Sequence, residues 1–304
     1  MGEPRVLVTG ASGFVGRAVV PLLADAPYEV HVVRHSRAAA VPGAREHRAD
    51  LLGDPHAAEA LVEAVAPSHL LHLAWYTEPG RYWTSGLNLD WLAASARLLR
   101  AFAAAGGRRA VLVGTCAEYD LTDGTCVEGV TPLRPTTLYG AAKNALQEVS
   151  AAHTGVAGYS AAWARLFFAY GPGEPPERLV PATVRGILAG QSVELSHGRQ
   201  LRDFVFVEDV AAALVKLLGS EVEGAVNIGT GQAVSLRDVV EAIAERLGQP
   251  ADLRFGARPA DPNEPPLIVA DTTRLRDEVG FAPAVSLAEG IDRAAGWWRE
   301  RVSS

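Results

Sequence analysis

Tyr139 and Lys143 stand four residues apart in the segment TLYGAAKNA. On a helix this spacing places a phenol and an ammonium group on the same face. An ammonium about 5 Å away favours the ionised phenol by roughly two pKa units at an effective dielectric constant near 20. Tyr139 is therefore a candidate general acid or base. The alternative is an ordinary surface Tyr/Lys pair, which is common on helices.

A glycine-rich turn, TGASGFVG, directly follows the apolar run Val6–Val8. In a strand–turn–helix context such a turn binds a dinucleotide pyrophosphate at the helix N-terminus. Gly10 permits the tight turn, Gly13 lets the backbone approach the pyrophosphate, and Gly16 lets the helix pack on the strand. A plain βα turn is the alternative. The predicted cofactor contacts in this turn are Gly10, Ser12, Gly13, Phe14, Val15 and Gly16.

The turn and the Tyr/Lys pair together predict hydride transfer with a nicotinamide cofactor, whose ribose Lys143 could also hold. Arg34 and Arg37 follow the second predicted strand, with no acidic residue between them. An acid there binds the ribose hydroxyls of NAD, whereas arginines can bind a 2′-phosphate. We therefore expect NADP(H) rather than NAD(H), with two solvated loop arginines as the alternative. Asp50 and Leu51 are predicted to meet the adenine, although an acid there equally caps a turn.

A third reactive group, Thr115, follows the apolar run Ala110–Val113. In parallel α/β sheets, ligands bind beyond the carboxyl ends of the strands. The Thr115 hydroxyl is predicted to hydrogen-bond the substrate oxygen during proton transfer. A turn hydroxyl that is satisfied locally is the alternative.

The elements that position these groups alternate along the first two thirds of the chain. Near-continuous apolar strands that alternate with helices predict a parallel sheet covered on both faces. Right-handed crossovers make this a doubly wound α/β sheet of the Rossmann type. The predicted strands are Val6–Val8, Val30–Val33, Leu70–Leu73, Ala110–Val113 and Ala162–Phe168. The predicted helices are Val15–Leu23, Pro55–Val65, Asn88–Ala105 and Leu138–Ala152.

Beyond about residue 170, proline-rich interruptions separate shorter elements. Strands are predicted at Asp203–Val207 and Ala225–Ile228, a helix capped by Ser235 at Ser235–Leu247, and an amphipathic segment at Ser286–Arg299. We predict a dinucleotide-binding domain over residues 1–168, to which residues 203–230 return. A smaller C-terminal α/β lobe for substrate is predicted over residues 169–202 and 231–304.

The composition limits the class of protein. The 304 residues include 48% hydrophobic and 21% charged residues, which is typical of a globular enzyme. The net charge of −7, with no basic cluster, argues against nucleic acid as a partner. No apolar run approaches the roughly 20 residues of a membrane span, and no signal peptide is evident. We expect a cytoplasmic protein with no metal site and with reduced Cys116 and Cys126, for which a disulfide between the two is the alternative.

Several segments resemble the extended short-chain dehydrogenase/reductase family, and within it the nucleotide-sugar epimerases, dehydratases and reductases. They are TGASGFVG, HLAW at 72–75, GTCAEYD, YGAAK, RDF at 202–204 and the closing VNIGTGQAVSL and ADTTRLRDEVGF, and they cover essentially the whole chain. The resemblance implies that Thr115, Tyr139 and Lys143 are catalytic and that Leu73, Ala74 and Trp75 lie beside the nicotinamide. It implies that Arg202 and Arg258 contact a substrate diphosphate, with salt bridges in the smaller lobe as the alternative.

The chain also departs from the family pattern. Cys116 and Ala117 stand where the 4,6-dehydratases carry Asp and Glu, so dehydration is not expected. Phe168 replaces an asparagine that contacts the nucleotide sugar in relatives. Aromatic residues after HLAW suit packing against a sugar, or equally cover the core edge. The predicted substrate contacts are Trp75, Tyr76, Thr115, Cys116, Ala117, Phe168, Arg202 and Arg258.

These features predict an NADPH-dependent reductase of a nucleotide-linked keto-deoxysugar, a 4-ketoreductase of deoxysugar biosynthesis. The alternative is a nucleotide-sugar epimerase that oxidises its substrate transiently with bound NAD(P). A non-catalytic NADP-sensing protein is a third hypothesis, but it predicts loss of the tyrosine or the lysine. By analogy with relatives we expect a homodimer formed by the helices at 88–105 and 138–152.

Overall fold

The computed structural model describes residues 3–34 and 42–302. Within these ranges the strands are β1 (Arg5–Thr9), β2 (Glu29–Arg34), β3 (Arg45–Arg48), β4 (His69–His72), β5 (Arg109–Thr115), β6 (Thr125–Cys126), β7 (Ser160–Leu166), β8 (Phe168–Tyr170), β9 (Val193–Leu195), β10 (Leu201–Arg202), β11 (Phe204–Phe206), β12 (Gly224–Ile228), β13 (Val234–Ser235), β14 (Leu253–Phe255) and β15 (Leu267–Ala270). The helices are α1 (Phe14–Ala24), α2 (Ala57–Val65), α3 (Leu87–Ala104), α4 (Leu138–Ala157), α5 (Leu179–Leu188), α6 (Val207–Leu218), α7 (Leu236–Leu247), α8 (Thr273–Asp277) and α9 (Leu287–Val302).

Seven parallel strands form the central sheet in the order β12-β7-β5-β4-β1-β2-β3. Successive side chains of a strand point to opposite faces, and β1 shows this directly. Val6 and Val8 pack into a core with α1 and α6, whereas Leu7 packs into a second core with α2, α3 and α4. Both faces of the sheet are therefore covered by helices, and the predicted doubly wound Rossmann-type fold is confirmed.

Two strand predictions needed correction. The strand predicted over Ala162–Phe168 divides: β7 joins the central sheet, while β8 begins at Phe168 and pairs with β11. Apolar runs predict no strand at β3, because this edge strand reads Arg-Glu-His-Arg and is largely exposed. Charged side chains are a common feature of edge strands, which they protect from pairing with other chains.

The C-terminal segments both return to the central sheet and build a further core. β12 pairs with β7 in the sheet, in register from Gly224 opposite Ala162 to Ile228 opposite Leu166. Helices α5, α7 and α9 contact one another around a separate apolar cluster that includes Val184, Ile243 and Ile291. The strands β13, β10, β15 and β6 form a small sheet beside it. The division into two domains at the predicted boundaries stays a prediction.

The structure bears on two expectations from the composition, the lack of a membrane-spanning segment and the state of the cysteines. Among the helices of the described ranges, none is both long enough and apolar enough to cross a membrane. Cys116 and Cys126 are both buried free thiols. The predicted reduced state of the two cysteines agrees with this arrangement.

Candidate active site

The turn between β1 and α1 needs glycine at two positions for packing. Gly10 has φ +73°, in the left-handed region that favours glycine, and a Cβ there would lie 2.7 Å from the Ala74 nitrogen. A Cβ on Gly16 would lie 2.2 Å from the Gly10 carbonyl oxygen. These two glycines therefore let β1, α1 and the end of β4 approach one another.

Gly13 differs, because it faces outward from the helix start. It is the N-cap of α1, it is exposed, and a Cβ there would have only the Gly10 oxygen nearby, at 3.2 Å. No side chain caps α1 and its first turn carries no acidic residue. The first amides of α1 are thus available to an anion, which the helix dipole also favours. This cradle fits a dinucleotide pyrophosphate.

The other residues predicted in the turn lie around this cradle. Ser12 is exposed, and its carbonyl oxygen accepts a hydrogen bond from Arg17 Nε at 2.8 Å. Phe14 and Val15 are half-buried in the first turn of α1. The structure therefore places all six predicted residues of the turn at one helix N-terminus.

At the adenosine end of the predicted cofactor site, one of the two predicted arginines is already paired with an acidic residue. Arg34 lies at the end of β2, but its Nη1 is 2.5 Å from Glu46 Oε2 on β3. Arg37 lies outside the described residues. Asp50 Oδ1 accepts hydrogen bonds from the amides of the next turn, and Leu51 is buried. Arg34 thus has an acidic partner, so its charge is partly compensated before any 2′-phosphate binds.

The three predicted catalytic residues converge at the carboxyl edge of the central sheet. Thr115 ends β5, and Tyr139 and Lys143 lie in the first two turns of α4. A Cβ on Gly140 would lie 2.4 Å from the Ala117 oxygen, so this glycine lets α4 approach the segment after β5. The Thr115 side chain is close enough to Tyr139 to oppose the rise in the pKa of the phenol.

Burial dominates the electrostatics of Tyr139. Its residue is 9% exposed, and burial raises the pKa of the phenol, as does the neighbouring Tyr82. The Thr115 side chain opposes this shift. The expectation that Lys143 lowers the pKa of Tyr139 is not met here, because removal from water raises that pKa and Lys143 is not among the main influences on the phenol.

Lys143 occupies an equally dry position. It is 3% exposed, its Nζ donates a hydrogen bond to the Val113 carbonyl at 2.7 Å, and it lies 3.9 Å from the centre of a Trp75 ring. Burial lowers the pKa of Lys143 to about 7, and the nearby Glu118 carboxylate opposes that shift. Lys143 is therefore close to its titration midpoint at neutral pH.

The end of β4 links the glycine turn to this site. His72 is buried between Thr9 Oγ1 at 2.7 Å and Ser95 Oγ at 2.8 Å. Burial, together with Lys143, lowers the pKa of His72 to about 3, so its imidazole is neutral. The amides of Leu73 and Ala74 donate to Thr9, each at 3.2 Å. The predicted segment 73–75 thus runs between the glycine turn and Lys143.

The aromatic loop after β4 covers Tyr139. The rings of Tyr82 and Trp83 lie edge-on to Tyr139, with centroids at 4.9 Å and 5.7 Å. Tyr82 is buried, whereas Trp83 is 39% exposed. Tyr76 instead donates to Glu78 at 2.6 Å. The loop therefore both covers a core edge and presents an exposed ring next to the candidate acid.

Four predicted substrate residues lie near Thr115. Cys116 is buried, and burial raises the pKa of its thiol, which stays neutral. Ala117 is half-buried in the same 3₁₀ turn. Arg202 interacts electrostatically with Cys116 and lies 5.5 Å from the Phe168 ring. Its Nη2 is 2.6 Å from a carboxylate oxygen, Glu264 Oε1, so both a salt bridge and a substrate role are open to Arg202.

Arg258 belongs to another feature of the C-terminal segments. It lines a cavity of about 230 Å³ whose other walls are mostly apolar: Leu179, Glu194, Leu195, Ser196, Gly198, Leu236, Val240, Phe255 and Pro259. The structure thus separates the two predicted phosphate-contacting arginines into different surroundings, Arg202 beside Cys116 and Arg258 at this cavity.

Sequence reasoning missed the residue that organises the turn after β5. Glu118 is completely buried, and its Oε1 accepts the Thr115 amide at 2.7 Å, while the Thr115 hydroxyl oxygen accepts the Ala117 amide at 3.2 Å. This reciprocal arrangement is a capping box. Its signature, a threonine with a glutamate three residues later, is present in Thr-Cys-Ala-Glu and was the available signal.

A sequence model of the NAD dependent epimerase/dehydratase family matches residues 6–229, well over half of the chain. The chain belongs to this family. Its members are NAD(P)-dependent enzymes that act on nucleotide sugars. The resemblance to the extended short-chain dehydrogenase/reductase group is confirmed with it.

Individual relatives within this family differ in their reactions. The chain is 30% identical to a dTDP-6-deoxy-L-talose 4-dehydrogenase (NAD(P)(+)) of Kitasatospora kifunensis, over 94% of this chain and 93% of the relative. The structure of MoeE5 in complex with UDP-glucuronic acid and NAD superposes with a TM-score of 0.86, at 31% identity over 98% and 99% of the two chains. A UDP-glucose 4-epimerase of Thermus thermophilus in complex with NAD gives a TM-score of 0.87, at 27% identity over 97% and 99%.

Proposed function

We propose that the protein is an NADPH-dependent reductase of a nucleotide-linked keto-deoxysugar, acting on a carbonyl at C4. The observation that carries this proposal is the convergence of Thr115, Tyr139 and Lys143 beside the glycine cradle. The carboxylate in the turn after β5, Glu118, is buried and bound by Trp163 and Arg165. A single proton donor suffices to reduce a carbonyl. The relative named as a 4-dehydrogenase, at 30% identity, supports this choice of reaction.

Each of these residues would have a role that follows from its position in the site. The cradle at Gly13 would hold the pyrophosphate, and Lys143 the nicotinamide ribose. When bound, the reduced dinucleotide supplies the hydride that the carbonyl carbon accepts. Tyr139 donates its proton to the carbonyl oxygen, and Thr115 hydrogen-bonds that same oxygen. Because burial raises the pKa of Tyr139, the phenol remains protonated at neutral pH, which suits a proton donor.

Water elimination fits the site poorly. Cys116 carries a neutral, buried thiol and Ala117 has no functional group. The carboxylate of Glu118 turns away from solvent and is held by Trp163 and Arg165. The turn after β5 therefore provides no carboxylic acid that could take part in dehydration of a bound sugar.

An epimerase is the second candidate. The same trio would serve transient oxidation, and the Thermus thermophilus relative is named as an epimerase in complex with NAD. The Arg34–Glu46 ion pair also offsets the charge that would attract a 2′-phosphate, which favours NAD. The two candidates differ in one respect that can be measured, since a reductase consumes a stoichiometric amount of reduced cofactor and an epimerase consumes none.

The test uses nucleotide-linked 4-keto-6-deoxysugars with each of the common nucleobases, and the corresponding nucleotide hexoses. We expect NADPH oxidation in proportion to the keto sugar, with the alcohol product identified by NMR. Interconversion of two nucleotide hexoses by the protein without added cofactor would support the epimerase instead. Neither activity with any nucleotide sugar would contradict both assignments.

We also propose a homodimer formed through α3 and α4, by analogy with relatives. These two helices pack against each other and present exposed apolar side chains: Leu89 is 56% exposed, Val149 51% and Val156 84%. Exposed apolar groups of this kind suit an interface between copies. Light scattering should give twice the mass of the chain, and a monomeric mass would contradict this proposal.

A further inference from the structure

We propose that Glu118 is a positioning residue: its buried carboxylate fixes the Thr115 hydroxyl and stabilises the Lys143 ammonium. The inference rests on the roles proposed above for Thr115 and Lys143. Glu118 itself does not face the solvent, because its side chain is completely buried beneath the turn. It acts through the two residues that do line the site.

The fold provides a dedicated space for this carboxylate. A Cβ on Gly114 would lie 2.5 Å from Glu118 Oε1 and 2.1 Å from Trp163 Nε1, so only glycine fits at this point of β5. Gly114 pairs in register with Arg165 on the adjacent β7. The space left by the missing side chain of Gly114 on β5 is thus filled by the Glu118 carboxylate, which Arg165 on β7 binds.

Every hydrogen-bonding neighbour of the carboxylate is a donor. Arg165 Nε lies 2.6 Å from Oε2, the Thr115 amide 2.7 Å from Oε1, and Trp163 Nε1 2.9 Å from Oε2. Burial raises the pKa of Glu118, and Arg165 and these N–H donors oppose that shift. A protonated acid would need an acceptor for its own O–H, whereas the ionised form satisfies all of these donors. We therefore take Glu118 to be ionised.

The first consequence concerns Thr115. Its amide is bound by Glu118, and its hydroxyl oxygen accepts from Ala117, so the backbone and side chain at the end of β5 are both fixed. The hydroxyl is then held on the side of the turn where it acts on the Tyr139 phenol. Without Glu118 the buried Thr115 amide would lose its hydrogen-bond partner, and the turn could relax.

The second consequence concerns the charge on Lys143. Lys143 and Glu118 meet at the end of β5, because Lys143 Nζ binds the Val113 carbonyl while Glu118 Oε1 binds the Thr115 amide two residues later. His72 from β4 also interacts with Lys143, and Tyr139 stands one turn earlier on the same helix. The titratable neighbours of these groups are Tyr82, Cys116 and Arg165. Burial keeps His72, Tyr139 and Cys116 neutral. Burial also lowers the pKa of Lys143, and Glu118 is the group that raises it. The Glu118 carboxylate thus keeps part of the Lys143 population protonated at neutral pH.

The experiment follows Lys143 through Trp75, whose ring it contacts. Tryptophan fluorescence of the full chain is titrated from pH 5 to 9, and the same titration of Lys143→Met is subtracted to isolate the signal of this lysine. We expect a midpoint near pH 7, the value to which burial lowers the pKa of Lys143. In Glu118→Gln, loss of a close opposite charge should move the midpoint about one pH unit or more toward acid.

A second measurement uses NADPH and NADH as probes. A midpoint one unit lower reduces the charged fraction at pH 7 from about one half to about one tenth. If the ammonium holds the ribose, the affinity of both dinucleotides for Glu118→Gln at pH 7 should fall about fivefold and recover at pH 5.5. Neither measurement needs a sugar substrate, so failure of the reductase assignment and failure of this inference are distinguishable.

Two further variants serve as controls, one of them for the case in which Glu118→Gln does not fold. Glu118→Gln leaves Arg165 as an unpaired buried cation, so Glu118→Gln/Arg165→Gln removes both charges and is used if the single variant does not fold. Its midpoint should also lie below that of the native chain. Trp163→Phe removes one donor but keeps the carboxylate, so its midpoint should match the native value. An unshifted midpoint in a folded variant without the carboxylate would overturn the proposal.

Discussion

Substitution of single glycines in the β1–α1 turn separates cofactor binding from folding. Gly13→Ala places a methyl group in front of the helix start, where the nearest protein atom is the Gly10 oxygen at 3.2 Å. The φ of −75° and ψ of 176° at Gly13 are open to alanine. Gly16→Ala is the matched control, because its methyl group would lie 2.2 Å from the Gly10 oxygen and 2.7 Å from Ala11 Cα.

The expected magnitudes differ accordingly. For Gly13→Ala the free energy of unfolding should change by no more than about 1 kcal/mol, since the cap position loses little. The loss of a hydrogen bond between a backbone amide and a charged phosphate costs about 1.5–3 kcal/mol, so dinucleotide affinity should fall roughly ten- to hundredfold. Gly16→Ala forces backbone atoms apart, which costs about 1–3 kcal/mol or more of stability.

Isothermal titration with NADPH and NADH measures the affinities, and urea unfolding measures the stabilities. Native affinity for both dinucleotides in Gly13→Ala would refute the placement of the pyrophosphate at the start of α1. Native stability in Gly16→Ala would refute the claim that this glycine is required by close packing on Gly10.

Arg34→Ala should weaken NADPH binding more than NADH binding, because only the 2′-phosphate needs the guanidinium; equal losses in paired titrations would remove the NADPH assignment. Lys143→Met should raise the free energy of unfolding at pH 7. The folded-state pKa of Lys143 is lowered from 10.5 to about 7, so the cost of burying the ammonium is absent above pH 10.5. This free-energy cost grows by about 1.4 kcal/mol for each pH unit between 10.5 and 7. Below pH 7 it stays at its full value. Urea unfolding should show a gain of a few kcal/mol at pH 7 that shrinks toward pH 10, and a constant or negative difference would contradict the buried cation.

Local patterns explain why much of the site could be predicted. The glycine turn depends on residues within one strand–turn–helix unit, and its apolar run and glycine spacing are visible in the sequence. The Tyr139–Lys143 spacing is likewise a property of a single helix. Thr115 follows from the end of an apolar strand, because parallel strands bring their carboxyl ends to one edge.

Contacts between distant strands explain what could not be predicted. Glu118 meets Arg165 only because β5 and β7 are neighbours in a particular register, with Gly114 opposite the arginine. The Arg34–Glu46 pair depends on β3, a charged edge strand without an apolar run. The raised pKa of Tyr139 depends on how completely the aromatic loop and α4 exclude water, and spacing along one helix carries no information on that.

The central claim is that Tyr139 supplies the proton in reduction of a nucleotide-linked keto sugar, and Tyr139→Phe tests it most directly. With a 4-keto-6-deoxysugar nucleotide and NADPH, the native chain should oxidise one NADPH for each alcohol formed. The phenylalanine variant should bind NADPH within about twofold of the native affinity but lose a factor of roughly 10² to 10⁴ in turnover. Turnover near the native rate in this variant, at native cofactor affinity, would contradict the account.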